Sequence, residues 1–434
     1  MSVKWIVLAL AVLMYALIVI FPDKKSWSAL GAAVLMIFFR ALGKTDTVFS
    51  LLKEAGTELI NWEVLMIFVG SLVIAELFIY SRVPAVIADN LVIWSPNVGI
   101  AMVLILIMTG LISAFVENVA TVLVMAPIAL ALCSKLKINP MYFMVGLAVM
   151  ANLQGTATLV GDPPSMIFAD YANYGFNDFF VYRGKLSIFF AVQTGMIAGA
   201  LFFYWIFARD GGKKVEIEKT TVLSMVPTWL LVLMIAGLAA ASFIYGGISL
   251  ASGLIVIILA LAGIIWYRWV QKESAAKVWE LVKSLDWDTA FFLMGIFVVV
   301  GAVSSVGLLE DFAALLSGII GANAVLGFVL IVMVSILISG FVDNVPYIIV
   351  MLPVAAALAR DLSLNPELYM FGLLIGSCMG GNLTPFGASA NVVSLGILRR
   401  QNVKLNFIQW LKIGLPFTVL TTTVSAVFIW FIWA

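Results

Sequence analysis

Long apolar stretches are the feature that most constrains the fold of this sequence. Of its 434 residues, 64% are apolar and 11% are charged, whereas a soluble domain is about half apolar and a quarter charged. Several stretches reach the roughly 20 residues that a helix needs to cross the hydrocarbon core of a bilayer. The first, Val3 to Phe21, lacks a small-residue cleavage site and is interpreted as a retained span. The sequence predicts an all-α polytopic membrane protein.

The net charge and the residue types present limit the partners and the proton-transfer groups that the protein can use. The net charge of +1 indicates no nucleic-acid partner, so we expect the lipid bilayer and a small inorganic ion as partners. The two cysteines lie in apolar segments, which makes a disulfide framework improbable. The chain contains no histidine, so no imidazole can relay protons. Asp and Glu are the leading candidates for handling protons inside the membrane.

An internal repeat joins the two halves of the chain. "LISAFVENVATVLVMAP" from Leu111 matches "LISGFVDNVPYIIVMLP" from Leu337. Three further pairs follow at an offset of 225 or 226 residues: "INWEVLMIFVGSLVI" with "LDWDTAFFLMGIFVV", "KINPMYFMVGL" with "SLNPELYMFGL", and "GTATLVGDPPS" with "GNLTPFGASAN". We predict a first inverted repeat over 1–208, a connector over 209–224 and a second inverted repeat over 225–434.

Each half shows the same order of segments. Two spans come first, then an amphipathic stretch (Val48–Ile60 or Gln271–Leu285), then a third span that starts at Trp62 or Trp287. An acid-amide dipeptide follows at the junction of two apolar stretches, then an interrupted helix and a final span. If the dipeptide forms a re-entrant hairpin, each half has five crossings. An odd number gives the halves opposite directions through the membrane, which is the inverted-topology repeat of secondary transporters.

The distribution of basic residues predicts the orientation. With both termini outside and the central connector in the cytoplasm, 17 Lys and Arg residues fall inside and 7 outside. The opposite orientation would reverse these numbers, against the positive-inside rule. We expect an integral protein of a prokaryotic cell (inner) membrane, with both termini outside.

Two carboxylates lie deep in apolar sequence. Glu117 and Asp343 each have mostly apolar residues on both sides, and a charge at the bilayer centre costs about 2.5–3.5 kcal/mol on insertion scales. A hairpin tip leaves backbone carbonyls and amides that must face protein or a water-filled cavity. Carbonyls with Glu117 and Asn118 would make an all-oxygen cation site, and the helix start through Thr121 suits an anion. Asp343 and Asn344 would make the mirror site. The alternative is a paired or protonated acid that only holds helices together.

The interrupted helices provide the second group of candidates. Gly and Pro at matching places in two halves indicate the binding site of a transporter, although a packing kink is the alternative reading. Asp162 fits an N-cap as well as an ion ligand, and Glu63 and Asp288 are expected to cap the third span of each half. The candidate binding residues of the interrupted helices are Gly155, Thr156, Thr158, Asp162, Ser165, Gly381, Asn382, Thr384 and Asn391.

These motifs resemble a known group. "FVENVATVLVMAP", "GTATLVGDPPS" and "GNLTPFGASANVV" are similar to the segments of the ion transporter superfamily that holds the melanosomal P protein, arsenite permeases, NhaD-type sodium/proton antiporters, citrate transporters and divalent anion/sodium symporters. The likeness covers nearly the whole chain. This sequence has Glu117 where the group usually has Asp, Ser165 where it has Asn, and Leu383 where it has Gly.

The resemblance implies a homodimer in which each protomer has a fixed scaffold and a moving transport domain, an elevator-type mechanism. It also implies that hairpin tips and broken helices meet near the membrane midplane. The implied coupling ion is H⁺ or Na⁺, held by Glu117, Asn118, Asp343 and Asn344, with no other cofactor. The amphipathic stretches would be the arms that link the two domains.

Several functions compete. Ion-coupled transport of a small inorganic solute, such as an arsenite-like oxyanion or another anion, is the leading interpretation, and sodium/proton exchange is the alternative. A citrate-type carboxylate is less favoured because no Lys or Arg lies near either motif in the sequence. A passive channel and an intramembrane aspartyl protease are remote alternatives, since a protease needs no matching broken helices. We therefore expect a transporter rather than an enzyme.

Overall fold

The computed structural model describes residues 3–21, 24–43, 48–207, 220–320 and 323–434. Over these ranges the chain is almost entirely helical and shows the same ten-helix order twice, so the protein is an all-α polytopic membrane protein. Eight helices are long and apolar enough to span a membrane. Most of the connector predicted over 209–224 lies outside the described residues.

The two halves have corresponding helices. The first half contains α1 (Val3–Ile20), α2 (Lys25–Gly43), α3 (Val48–Glu54), α4 (Trp62–Tyr80), α5 (Val83–Trp94), α6 (Val98–Ser113), α7 (Asn118–Leu136), α8 (Met141–Gly155), α9 (Pro163–Ala172) and α10 (Ile188–Phe207). The second contains α11 (Val226–Tyr245), α12 (Leu250–Ile265), α13 (Ala275–Ser284), α14 (Trp287–Ser305), α15 (Leu308–Ile320), α16 (Ala324–Ser339), α17 (Asn344–Asp361), α18 (Pro366–Gly380), α19 (Ser389–Arg400) and α20 (Phe407–Trp433).

One group of helices contains members from both halves of the chain. We call α1, α2, α4, α11, α12 and α14 the framework bundle. In it, α4 of the first half packs along α12 of the second, and α14 of the second packs along α2 of the first. A Cβ on Gly70 would lie 2.8 Å from the Val256 side chain, and one on Gly295 would lie 2.7 Å from the Ala29 carbonyl carbon. Small residues at matching places therefore let these helices approach closely, as is common in membranes.

The second group holds the hairpins and the interrupted helices. We call α6–α10 and α16–α20 the hairpin bundle, in which α6 packs on α8, α16 on α18 and α10 on α20. Each acid-amide dipeptide lies at a turn between two helices, and each interrupted helix breaks after Gly155 or Gly380. The amphipathic stretches form α3 with a π-helical turn and, in the second half, α13, which has no buried residues.

The broken helices hold the hairpin ends by matching hydrogen bonds. The Thr158 hydroxyl donates to the Ala114 carbonyl, and the Thr384 hydroxyl donates to the Gly340 carbonyl. The acceptors are the C-caps of α6 and α16, whose carbonyls have no partner within the helix. All four residues follow the 226-residue offset of the repeat. These bonds satisfy backbone groups that lipid could not satisfy.

The capping residues of α4 and α14 differ from the sequence prediction. Glu63 and Asp288 were predicted to cap these helices, but the N-caps are Asn61 and Asp286. The Asn61 side chain accepts from Val64 N at 2.9 Å, and Asp286 accepts from Thr289 N at 2.9 Å. Each cap comes two residues earlier than expected, because the helix already begins at the tryptophan.

A short β-hairpin, which the sequence analysis did not anticipate, follows α9. Strands β1 (Val181–Tyr182) and β2 (Lys185–Leu186) pair antiparallel. Arg183 and Gly184 between them both have positive φ, as a two-residue type I′ turn requires. Lys185 Nζ lies 5.2 Å from the ring centroid of Trp433, so this hairpin is held against the last helix.

Thr158→Val and Thr384→Val should each destabilise the hairpin bundle, because each leaves a buried helix-end carbonyl without its donor. We expect a loss of about 1 kcal/mol per substitution, measured as a lower thermal unfolding midpoint of the purified protein. Thr57→Val removes a similar hydroxyl–carbonyl bond at an exposed position and is the control. Unchanged midpoints in both variants would contradict a structural role for the pair.

Candidate functional site

A large cavity lies between the framework bundle and the hairpin bundle. It has a volume of about 910 Å³ and is lined by both hairpin tips, Glu117-Asn118 and Asp343-Asn344. Asp162 at the start of α9 and the Ala388–Ala390 start of α19 also line it. The structure thus brings together elements that are 226 residues apart in sequence.

The first tip is built around Asn118. Its Oδ1 accepts from the Ser113 hydroxyl at 2.7 Å and lies against α8, where a Cβ on Gly155 would stand 2.4 Å from it. The Glu117 carboxylate accepts from Ala120 N at 3.0 Å, so it caps α7 and faces the cavity. The Asn118 side chain also faces the Asp162 carboxyl. Carboxyl, amide and hydroxyl oxygens are therefore gathered at this tip, as a site for a hard cation such as Na⁺ needs.

The second tip is not a mirror image of the first. The Asp343 carboxylate caps α17 through Val345 N at 3.0 Å, but its Oδ2 also lies 3.1 Å from Lys25 Nζ. Lys25 opens α2, and it lies 5.5 Å from the ring centroid of Phe292 on α14. No Lys or Arg lies near either motif in the sequence, but the fold brings Lys25 to a residue 318 positions away.

An amide network joins the two broken helices behind the tips. Asn152 of α8 donates to Asn382 Oδ1 and to Asn391 Oδ1, each at 2.9 Å. Asn391 in turn donates to the carbonyls of Gly381 and Thr384 at 2.9 Å, which fixes the interruption between α18 and α19. The Asn152 Oδ1 atom is buried and has no hydrogen-bond partner. Asn152 also lines the cavity, so this free acceptor lies beside it.

The remaining candidate residues support the site rather than line it. Thr121 donates to the Val116 carbonyl at 3.4 Å, and Ser165 donates to the Gly155 carbonyl at 3.4 Å. Asp162 occupies the N-cap position of α9 but makes no capping hydrogen bond, which leaves its carboxyl to the cavity. The candidates that are not among the cavity-lining residues are Thr121, Gly155, Thr156, Thr158, Ser165, Gly381, Asn382, Thr384 and Asn391.

Several cavity residues were missed from the sequence. Glu76 lies deep within the apolar α4, far from the first-turn acid Glu63, and an acid in such a segment is itself a signal of function. Asn152 stands in the apolar run before Gly155, which is a weaker signal. Lys25 resembles an orientation signal at the start of a span, and Asp286 and Asp288 resemble helix caps, so nothing local distinguishes them. Of these, Asp288 accepts a hydrogen bond from the Ser26 hydroxyl.

Acidic side chains far outnumber basic ones in the lining of the cavity. Six carboxylates line it against one ammonium: Glu76, Glu117, Asp162, Asp286, Asp288 and Asp343 against Lys25. No three acidic or cysteine side chains among the described residues are grouped closely enough to hold a metal ion.

The fold and sequence have known relatives. A profile of the family described as "Citrate transporter" matches residues 15–376 and 323–434. An uncharacterized transporter of Mycobacterium tuberculosis is 31% identical over 429 residues, 96% of each chain. The human P protein is 24% identical over 458 residues, covering 85% of this chain and 53% of that protein. The family and the mycobacterial relative are named as transporters, which agrees with the expectation that the protein is not an enzyme.

Solved structures show the same fold. The YdaH transporter of Alcanivorax borkumensis is similar with a TM-score of 0.62 and 14% identity, covering 99% of this chain and 98% of that one. MtrF of Neisseria gonorrhoeae is similar with a TM-score of 0.57 and 14% identity, covering 89% and 84%. The resemblance to the ion transporter superfamily drawn from the motifs is confirmed.

Gly155→Ala should disable the first tip, because the new methyl group would overlap the Asn118 amide oxygen. We expect substrate or ion affinity to fall at least tenfold, since displaced ligands lose their geometry, while the protein still inserts into the membrane. Gly396→Ala in α19, where nothing lies within 4 Å of the added atom, is the matched control. The measurement is ligand-induced thermal stabilisation; equal stabilisation of both variants would contradict the role of Gly155.

Proposed function

The chain belongs to the citrate transporter family, and from that premise we propose that it is an ion-coupled secondary active transporter of a small anion. The observation that carries the proposal is the cavity lined by both hairpin tips, with acids at each tip. H⁺ or Na⁺ is the coupling ion. The solute is an arsenite-like inorganic oxyanion or a small carboxylate such as citrate.

The excess of acid supplies a physical reason for coupling. An anion entering a cavity with six carboxylates and one lysine meets net repulsion, which is strong where water is partly excluded. A proton or Na⁺ bound at Glu117 neutralises one negative charge, and one bound at Asp162 neutralises another. Each bound cation lowers the negative charge of the cavity and so favours anion binding, which couples the movement of the two solutes.

Helix starts give the anion a place to bind. The starts of α7, α9, α17 and α19 line the cavity, and the N-terminal end of a helix attracts negative charge. Acids cap α7 and α17, and α9 begins with two prolines. The start of α19 has Ala388 as its N-cap and no side-chain capping bond. The backbone N–H groups of Ser389 and Ala390 are the best placed for an anion.

A carboxylate solute is better supported than the sequence alone suggested. The argument against it was the lack of a basic residue, and Lys25 removes that argument. A volume of about 910 Å³ lies within the roughly 300–1,000 Å³ of small-molecule sites, more than a bare inorganic ion needs. The family description adds to this support. Arsenite-like oxyanions remain the inorganic candidates among the small anions proposed as the solute.

The two bundles suggest how the solute crosses. Both tips belong to the hairpin bundle, while Lys25, Glu76, Asp286 and Asp288 belong to the framework bundle or its entry turns. An elevator-type movement of the hairpin bundle against the framework bundle would carry the site across the membrane. We propose that the framework bundle is the fixed part and pairs with a second copy in a homodimer.

Sodium/proton exchange is the second candidate. The six carboxylates favour cations over anions, and Glu117 has no ion pair with a basic side chain among the described residues. A carboxylate that binds either H⁺ or Na⁺ is the chemical basis of such exchange. This function needs no anion at all.

Purified protein in liposomes that enclose a pH-sensitive dye tests the proposal. A pH gradient is imposed, and NaCl, arsenite or citrate is then added in turn. We expect proton movement or Na⁺-dependent uptake that requires an anion, and Glu117→Gln should reduce the rate at least a hundredfold because the coupling carboxylate is lost. Glu280→Gln, at an exposed position of α13, is the control and should transport normally.

The outcomes separate the candidates. Uptake that requires citrate or arsenite together with H⁺ or Na⁺ supports the proposed function. Proton movement triggered by NaCl alone identifies a sodium/proton antiporter instead. Anion flux that is independent of any cation gradient and unchanged in Glu117→Gln contradicts both.

The proposed orientation predicts that the central connector faces the cytoplasm. Cys133 and Cys378 are both buried, so a new cysteine in Lys214→Cys should provide the main reactive thiol. We expect a membrane-impermeant maleimide to label it in inside-out vesicles and not in intact cells. Labelling from outside intact cells would reverse the orientation.

A further inference from the structure

We propose that Lys25 is a tethered competitor of the coupling cation at Asp343, so that a cation binds at the second hairpin tip only by displacing the Lys25 ammonium. This inference rests on the proposed function, since it concerns the ion that drives transport. It means that a residue at the start of α2 sets the affinity of the second hairpin tip for cations. The residue lies outside both repeated motifs.

The geometry of the pair fits a competitor. Lys25 Nζ lies 3.1 Å from Asp343 Oδ2, and the side chains are 12% and 26% exposed. The ammonium is thus largely withdrawn from water, while the carboxylate keeps access to the cavity that both residues line. A cation entering the cavity can reach Asp343, but it meets a carboxylate that is already neutralised. Opposite charges at this distance and burial interact far more strongly than an exposed pair.

The two tips differ in their charged neighbours: Asp162 lies at the first tip, and Lys25 pairs with Asp343 at the second. Glu117 and Asp343 occupy equivalent positions, and each caps the helix that follows it. Among the described residues, Asp343 forms an ion pair with Lys25, and Glu117 forms no ion pair. The position equivalent to Lys25 in the second half is Leu250, at the start of α12. The repeat therefore supplies one tip with a built-in cation and leaves the other open.

The pair also joins the two bundles. Lys25 stands on α2, which packs along α14, and its ammonium lies over Phe292 of α14. Asp343 stands on the hairpin bundle. A second bond crosses nearby, from the Tyr15 hydroxyl to the Pro346 carbonyl. Moving the hairpin bundle away would leave a buried ammonium without its partner, which is costly. A cation that replaces Lys25 at Asp343 neutralises the carboxylate before the bundles separate, so Lys25 opposes movement of an empty site.

Cation titrations of the purified full-length protein test the competition without any anion. Thermal unfolding is followed while Na⁺ is varied at fixed pH and while pH is varied without Na⁺, because a bound cation raises the midpoint by mass action. We expect Lys25→Met to need about tenfold less Na⁺ for the same stabilisation. Lys25→Arg, which keeps the charge, should stay within about threefold of the wild type.

A mutant cycle identifies Asp343 as the place of competition. In an Asp343→Asn background, Lys25→Met should no longer change either titration, because the carboxylate under competition is absent. The double variant also avoids an unpaired buried charge and keeps the test possible if Lys25→Met alone folds poorly. Lys24→Met, the exposed neighbour, is the control and should match the wild type.

Each result decides the proposal. A shift in Lys25→Met that disappears with Asp343→Asn supports it. Titrations of Lys25→Met that match the wild type, or a shift that persists in the double variant, overturn it. Failure of anion transport in liposomes, with the Lys25 shift still present, would overturn the proposed anion function and leave the competition intact.

Discussion

The structure depends on satisfying the backbone groups that its hairpins and broken helices leave open. Four helix ends meet in the interior of the hairpin bundle, and lipid offers none of them a hydrogen bond. Thr158 and Thr384 donate to the two hairpin carbonyls, and Asn391 donates to the carbonyls at the second interruption. The cavity is the remaining space between these ends, so its polarity follows directly from the way the helices are broken.

Local sequence was enough to predict much of this arrangement. The apolar stretches, the two dipeptides and the Gly- and Pro-containing interruptions specify hairpins and broken helices because each is a short-range pattern. The same patterns placed Glu117, Asn118, Asp343 and Asn344 at the site, and the structure brings them to one cavity. The resemblance to the superfamily rested on those segments too.

Long-range partners could not be predicted in the same way. Lys25 differs from an ordinary basic residue at the start of a span only in meeting Asp343, which depends on how α1 and α2 pack against the hairpin bundle. Glu63 was predicted to cap α4, and Asn61 takes that role because the helix begins at Trp62. The contact between Asn152 and Asn382 joins the two halves, and neither segment alone indicates it.

That contact has a consequence for how the protein is made. Asn152 donates both of its hydrogen bonds to residues of the second half, Asn382 and Asn391, and α4 packs against α12 from the second half as well. When the ribosome has completed only the first half, these surfaces have no partners. The first half alone therefore lacks the partners of its central amide, so its final packing depends on the second half.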